Sequence, residues 1–285
     1  MKNLKILFKN MELFIPYIHD ESIDYSNRVH RGYRLQDKFM KLYPNFSDAL
    51  IADWKKEINS IDIFIMFDSH YSKHIAEYIK RNNPNSKIYF YFWNSIRDNN
   101  IHFLQEELVD EFWTFDKEDA AKYEINYNQQ FYTRNIKLNQ EKELADTFFI
   151  GREKDRKTTI ENASSILKEN NVDALIYLAN NKETLCSYSQ YLEYLSKTKT
   201  ILDIVRPNQS GLTLRCMESL FLGKKLITTN PKVSDYDFYN PQNIFILGED
   251  DSRRLVDFIN SKYINIDEEI ISNYDYSSWV KRFTK

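Results

Sequence analysis

Apolar residues along this chain gather in short continuous runs that alternate with amphipathic stretches. The runs IDIFIMF (61–67) and KIYFYFW (87–93) are rich in β-branched and aromatic residues and show no regular polar alternation. Such runs are typical of strands that are buried on both faces of a parallel sheet. Residues 70–82 have apolar positions at helical spacing and end at Asn83-Pro84, which stops a helix. The order strand, helix, strand predicts a βαβ unit.

The rest of the chain continues this alternation on both sides of a polar, charged segment at 128–143, where we place a domain boundary. Before that segment, strands are also predicted at 4–8 and 112–115, and helices at 101–109 and 117–123. After it, strands are predicted at 147–150, 172–178, 200–205, 225–229 and 243–247, and helices at 157–169, 187–196, 212–222, 251–260 and 266–283. We therefore predict an α/β fold with two Rossmann-like domains, residues 1–140 and 141–285. They would face each other across a cleft, a usual place for ligands.

Composition narrows the class of protein. The chain is 42% hydrophobic and 28% charged, as expected for a soluble globular protein. Its net charge of −3 argues against nucleic acid as a partner, because such proteins carry a basic patch. The two cysteines, Cys186 and Cys216, form no CxxC pattern, which argues against a zinc site and a disulfide framework. Reduced thiols suit the cytoplasm. No window approaches the roughly 18 apolar residues that a membrane span needs.

The segment 206–220 has the features of a phosphate site. It follows a predicted strand and leads into a predicted helix, with Gly211, one of only five glycines in the chain, at the junction. Ser210 or Gly211 is predicted to cap the helix, where unpaired backbone N–H groups and the helix dipole attract an anion. Because glycine has no side chain, a phosphate can approach the backbone there. The residues predicted to contact a diphosphate are Arg206, Gln209, Ser210, Gly211, Leu212, Thr213 and Arg215.

Glu218 is predicted to bind the ribose of a nucleotide. It lies seven residues after Gly211, about two helical turns, so its side chain would return to the face of the helix start. A carboxylate there would accept hydrogen bonds from both ribose hydroxyls of a nucleotide whose phosphates lie at the cap. The alternative is that 209–211 is an ordinary loop and Glu218 a solvated surface residue, since glycine-opened helices are common in α/β folds.

The run QSGLTLRCMESLFLGKKLITTN (209–230) resembles the nucleotide-sugar segment of bacterial glycosyltransferases of the GT-B fold. It is similar in particular to enzymes of capsule, exopolysaccharide and lipopolysaccharide biosynthesis and to CgeB-like proteins. The stretches FWTFDKEDAAKYEI (112–125), FFIGREKDR (148–156) and YDYSSWVKRF (274–283) fit the same resemblance. Retaining members of that fold carry two glutamates seven residues apart, whereas position 211 is glycine here, so the stereochemical outcome stays open.

This resemblance implies roles for the C-terminal domain. The domain would bind the nucleotide sugar, with UDP as the commonest donor nucleotide, and the glutamate that binds ribose would fall on Glu218. Gly151 and Arg152, followed by a basic residue such as Arg156, would face the diphosphate. The alternative is that REKDRK (152–157) is a basic surface turn balanced by its own acidic residues.

The resemblance also implies that the N-terminal domain binds the acceptor and supplies the general base of an inverting transferase at the end of a strand. Asp68 and His70 directly follow the predicted strand 61–67, so these two residues are the catalytic candidates. The alternative is that Asp68 or Ser69 only caps the helix that follows.

The triplet Asp235-Tyr236-Asp237 looks like the DxD metal motif of single-domain glycosyltransferases, whose carboxylates hold a divalent ion on the diphosphate. In this chain it comes late, past the predicted helix 212–222, so we interpret it as a turn or a cap. No metal and no other cofactor is therefore expected, and the nucleotide sugar is a co-substrate.

Together these features predict a metal-independent glycosyltransferase. It would move a sugar, from a donor expected to be UDP-linked, to a bacterial surface glycan or a lipid-linked acceptor. Such acceptors imply a cytoplasmic enzyme in peripheral contact with the inner face of the membrane. The C-terminal stretch 266–283 would either cross back to the first domain, as in GT-B folds, or close the second core, and both options predict burial of Trp279.

Two alternatives stay open. One is a non-catalytic subunit that binds a nucleotide or a glycan and supports a partner transferase. The other is an unrelated α/β nucleotide-binding enzyme, which is disfavoured because no GxGxxG or GK[ST] pattern occurs in the chain.

Overall fold

A computed structural model describes residues 2–8, 13–25, 51–67, 69, 72–179, 186–207 and 209–284. These residues form two compact units, one that ends at Asn128 and one that runs from Gln129 to Phe283. Each unit has its own parallel β-sheet with helices. Within the described ranges, no helix is long and apolar enough to cross a membrane.

The first unit is built on a six-stranded sheet. Its strands are β1 (Leu4–Phe8), β2 (Ile23–Tyr25), β3 (Ile63–Phe67), β4 (Lys87–Phe92), β5 (Glu111–Thr114) and β6 (Asn126–Tyr127). They pair in parallel in the order β2-β1-β3-β4-β5-β6. Its α-helices are α1 (Ser72–Asn82) and α2 (Lys117–Tyr123), and 3-10 helices form at Ile15–Tyr17, Asp53–Ser60 and Ile101–Gln105. The predicted βαβ unit is therefore confirmed as β3, α1 and β4.

The middle of this sheet is buried on both faces, because its strands are apolar without alternation. Phe64 and Phe90 are fully buried, on neighbouring strands. Trp54 lies edge-on against Phe64, with ring centroids 5.4 Å apart. The 3-10 helix that carries Trp54 therefore covers one face of the sheet.

The predicted helix at 101–109 is wrong, because only the 3-10 helix Ile101–Gln105 forms there. Its half-buried Phe103 packs against Phe90, with centroids 5.1 Å apart. By Asp110 the chain already pairs with the sheet, since the amide of Asp110 donates to the carbonyl of Ile88. A turn at 106–109, closed by a hydrogen bond from the amide of Val109 to the carbonyl of Glu106, separates this short helix from β5.

The second unit is built on a five-stranded sheet. Its strands are β7 (Ala145–Gly151), β8 (Ala174–Leu178), β9 (Thr198–Asp203), β10 (Lys225–Thr228) and β11 (Ile244–Ile246). Its α-helices are α3 (Lys157–Glu169), α4 (Tyr188–Ser196), α5 (Leu214–Leu222), α6 (Leu255–Asn260), α7 (Glu268–Asn273) and α8 (Tyr276–Lys281). Further 3-10 helices form at Pro231–Asp235, Ser252–Arg254 and Arg282–Thr284. The strands pair in parallel in the order β11-β10-β9-β7-β8.

Both sheets follow the doubly wound pattern of Rossmann-like folds. In the second unit the first strand, β7, lies between β8 and β9, so the strand order reverses at the β7–β9 pair. Parallel sheets of this kind bind ligands beyond the carboxyl ends of the strands at the point of reversal. The predicted fold class, α/β with two Rossmann-like sheets, is confirmed.

The C-terminal stretch folds as α7 and α8 rather than as one helix. Asp275 separates them and accepts a hydrogen bond from the amide of Ser277, which caps the second helix. Trp279 is buried, as predicted, with its ring 4.3 Å from that of Phe131. The stretch therefore contributes to the core of the second unit.

Candidate functional site

The reversal point of the second sheet carries a group of basic residues. β7 ends at Gly151 and β9 at Asp203, and the two strands are paired neighbours. The segments that follow them supply cationic side chains, and a further one comes from α5. This basic cluster consists of Arg152, Lys154, Arg156, Arg206 and Arg215.

Gly151 makes room for one of these side chains. A β-carbon at position 151 would lie 2.5 Å from Nη2 of Arg156 and 3.0 Å from Cζ of Phe149, so any larger residue would require the Arg156 side chain to shift. The guanidinium of Arg156 lies against the backbone and donates from Nε and Nη2 to the carbonyl of Arg152, at 3.1 and 3.0 Å. It also donates to the carbonyl of Ile204, which follows β9. Arg156 thereby bridges the segments that follow β7 and β9.

The ring of Phe149 supports two guanidinium groups. The guanidinium carbon of Arg156 lies 4.9 Å from the ring centroid and that of Arg215 lies 4.7 Å from it, within the range of cation–π contacts. Arg215 donates to the carbonyl of Ile150, and its Nη1 lies 3.7 Å from Oδ1 of the fully buried Asp203. Two like charges are therefore held side by side at the carboxyl ends of the strands.

The acid–base properties of these cations differ: the pKa of Arg215 is raised, because its interactions with Tyr191, Asp203 and Glu218 outweigh the effect of burial. Burial, and to a smaller extent the nearby charge of Arg215, together lower the pKa of Arg156 to about 10. Burial also lowers the pKa of Lys154, with added repulsion from Arg152 and Arg206. A bound anion would relieve this repulsion, so the cluster is suited to a phosphate or diphosphate group.

Only part of the positive charge is neutralised by the protein itself. Arg206 forms a bidentate ion pair with Asp155, with Nε–Oδ1 and Nη2–Oδ2 distances of 2.5 and 2.7 Å. Asp203 faces Arg215, and burial raises the pKa of its carboxyl group. A planar guanidinium fork presents several donors, so Arg206 can hold Asp155 and still face a ligand.

Glu218 lies in α5 and is 1% exposed, so the solvated alternative is excluded. Each oxygen of its carboxylate accepts a hydrogen bond from a phenol: Oε1 from Tyr188 at 2.8 Å and Oε2 from Tyr191 at 2.5 Å. The hydroxyl of Tyr188 also lies 2.6 Å from that of Tyr132. Burial raises the pKa of Glu218 above its ordinary value, while the phenols and Arg215 counteract this shift.

The two phenols reach Glu218 together because of the local sequence of α4. Ser187 caps this helix through a capping box with Gln190, which fixes the first helical turn. Tyr188 and Tyr191 are three residues apart and so lie on one face of the helix. Their rings stack with centroids 5.6 Å apart. Sequence reasoning did not find these partners, because no motif links residues of α4 to a glutamate in α5.

The predicted start of the helix at 212, with Ser210 or Gly211 as its cap, is wrong. α5 begins at Leu214, and Thr213 is the N-cap residue, with no side-chain capping bond. Leu212 is buried, and the helix begins two residues after it. Gly211 therefore lies outside the helix, and the argument that two full turns separate it from Glu218 does not apply.

The remaining predicted phosphate contacts lie in the segment that leads from β9 to α5. Gln209 and Ser210 are half-buried, whereas Gly211 is buried. The carbonyl of Ser210 accepts a hydrogen bond from Nδ2 of Asn230, at 3.5 Å. This contact ties the segment to the residues that follow β10.

Asp68 and His70, the predicted general-base candidates, lie outside the described residues. Ser69 between them is buried, and its amide donates to the hydroxyl of Ser72, at 3.0 Å. Ser72 in turn donates to the carbonyl of Ser69, at 2.9 Å, at the start of α1. The catalytic assignment stays a prediction.

The triplet at 235–237 forms a turn, as predicted. Asp235 ends the 3-10 helix Pro231–Asp235, and the carboxylate of Asp237 accepts a hydrogen bond from the hydroxyl of Tyr274, at 2.5 Å. Among the residues that the structure describes, no group of three or more His, Cys, Asp or Glu side chains is placed to hold a metal ion.

No protein-family model and no curated protein matches this chain. Among solved structures, the crystal structure of an α1,3-fucosyltransferase is similar over 99% of this chain and 90% of its own, with a TM-score of 0.51 and 13% identity. The fold is GT-B. A crystal structure of an α1,3-fucosyltransferase with GDP has the same coverage, a TM-score of 0.48 and 11% identity. At such low identity the similarity establishes the fold alone.

Proposed function

We propose that the protein is a glycosyltransferase that moves a sugar from a nucleotide-sugar donor to a glycan acceptor. The observation that carries this proposal is the basic cluster at the reversal point of the second sheet. There, Phe149 holds Arg156 and Arg215 side by side at the carboxyl ends of the strands. In a GT-B fold this is a place where a nucleotide diphosphate would lie.

Transfer of the sugar leaves a nucleoside diphosphate, so negative charge grows on the phosphate oxygens as the sugar–phosphate bond breaks. The basic cluster would stabilise that charge with donors that are already in position, which is the usual source of a large rate enhancement. Arg156 and Arg215 are fixed by backbone carbonyls and by the Phe149 ring, so little reorganisation is needed during the reaction.

Glu218 would bind the ribose in this proposal. It lies on α5, the element that follows β9 in the second unit, and β9 ends beside the basic cluster. Its carboxylate accepts hydrogen bonds from two phenol O–H groups in the structure. The ribose hydroxyls are donors of matching chemistry.

The finer assignments rest on the resemblance to capsule, lipopolysaccharide and CgeB-like enzymes. They are a UDP-linked donor, a bacterial surface glycan or lipid-linked acceptor, and a location at the inner face of the membrane. Residues 1–140 would bind the acceptor, with Asp68 or His70 as the general base.

Nucleotide binding tests the proposal directly. A thermal-shift measurement with UDP, GDP, CDP and their sugars should give one nucleotide that raises the Tm. At 100-fold excess over Kd the gain is about 2.7 kcal/mol, or roughly 4–5 °C for a chain of this size. No shift with any of these ligands would contradict the proposal. Binding without donor hydrolysis or transfer would indicate the non-catalytic subunit instead.

Turnover should not require a divalent metal. Hydrolysis of the donor that binds, followed as release of the nucleoside diphosphate, is expected to continue in excess EDTA, because guanidinium groups supply the charge. Activity that is lost in EDTA and restored by Mn²⁺ would show this expectation to be wrong. The variant Asp237→Asn would then test the triplet at 235–237 as the metal site.

A further inference from the structure

Glu218 cannot reach a ligand in the arrangement that the structure shows. Glu218 is 1% exposed, and each of its carboxylate oxygens accepts a hydrogen bond from a phenol. A ribose can therefore bind Glu218 only if one of the two phenols moves away. The phenol that moves is then a residue whose position changes when the ligand binds.

The two phenols differ in how firmly they are held. Tyr191 is 8% exposed, and its ring packs against that of Phe148 in β7, with centroids 5.8 Å apart. Its hydrogen bond to Oε2 is also the shorter of the two. Tyr188 is half-buried, and its hydroxyl lies 2.6 Å from that of Tyr132, which can remain its partner when the bond to Glu218 breaks. Tyr188 is therefore the phenol that can be displaced at lower cost.

The hydrogen bond from Tyr188 stabilises the buried carboxylate of Glu218 in the free protein. A buried carboxylate without a donor on one oxygen is costly, and Tyr188 supplies that donor to Oε1. A ribose hydroxyl offers the same kind of O–H donor. Exchange of one for the other keeps the carboxylate hydrogen-bonded before and after binding, so no buried charge is left unpaired.

We propose that Tyr188 occupies the place of a ribose hydroxyl on Glu218 and leaves it when a nucleotide binds. This inference rests on the proposed function, since it needs Glu218 to be the ribose ligand. Tyr191 keeps its hydrogen bond to Oε2 throughout and orients the carboxylate. Tyr188 thus lowers the affinity for the nucleotide, whereas Tyr191 raises it.

The variants Tyr188→Phe and Tyr191→Phe are a matched pair, because each removes one hydroxyl from the same carboxylate. The Kd is measured by calorimetry for whichever of UDP, GDP and CDP binds the wild type, and for its 2′,3′-dideoxy form. Tyr188→Phe should bind the nucleotide about 5- to 10-fold more tightly than the wild type, because it has no hydrogen bond to a charged group to break. Tyr191→Phe should bind about 3- to 10-fold more weakly.

The dideoxy nucleotide separates competition from general loosening of the site. It has no ribose hydroxyl to replace Tyr188, so its affinity should not increase in Tyr188→Phe. The inference is overturned if the wild type binds a nucleotide but Tyr188→Phe binds it no more tightly, or if the dideoxy form gains equally. Absence of binding by the wild type would instead overturn the proposed function, and this inference with it.

Discussion

Glu218→Ala should raise the Kd for the nucleotide by about 10-fold. Two hydrogen bonds from ribose hydroxyls to a carboxylate contribute about 1.5 kcal/mol each at the lower limit, but loss of the bond from Tyr188 offsets one of them, and the remainder, about 1.5 kcal/mol, corresponds to that factor. The measurement is titration calorimetry with the nucleotide that binds the wild type. The loss should be absent with the 2′,3′-dideoxy nucleotide, which binds weakly to both proteins.

Two controls belong with this variant. Glu218→Gln keeps the volume and one oxygen acceptor, so it should bind more tightly than Glu218→Ala while still falling short of the wild type. Glu193→Ala removes an exposed glutamate that pairs with Lys197, and it should leave the Kd unchanged. Nucleotide affinity in Glu218→Ala equal to that of the wild type would mean that the ribose lies elsewhere.

Arg215→Ala should affect both stability and turnover. Arg215 faces Asp203, which is fully buried, and removal of one partner of a buried ion pair costs about 3–5 kcal/mol because the other charge stays uncompensated. Urea unfolding should show this loss of free energy. The matched control is Arg206→Ala, whose partner Asp155 is exposed, and its expected cost is about 1 kcal/mol or less.

The double variant Asp203→Asn/Arg215→Ala separates the effect on stability from the effect on turnover. It removes the buried charge as well as its partner, so much of the lost stability should return. Donor turnover in this folded background should still fall by about 100- to 1000-fold, because a fixed donor to the leaving diphosphate is missing. Turnover close to that of the wild type would exclude Arg215 from the site.

The sheets were predictable because their signal is local. A continuous apolar run such as 61–67 can be buried only between two layers, and the structure places it as β3. Helices α2 and α3 also begin and end where the sequence indicates. Local apolar periodicity and turn residues are enough to define such elements.

The site was less predictable, since its contacts join residues that are distant in sequence. Glu218 was identified, but its burial and its phenol partners depend on how α4 packs beside α5. The start of α5 was misplaced because burial of Leu212 outweighs the capping tendency of Ser210 and Gly211. One feature of the sequence was not used: Asp203 places a carboxylate at the end of an apolar strand.

The fit of Arg156 against Gly151 restricts how this protein can change during evolution. Any side chain at position 151 would contact the guanidinium of Arg156 where it now lies, so replacement of the glycine would shift the group that bridges the segments after β7 and β9. We therefore expect the residues at positions 151 and 156 to vary together among homologues.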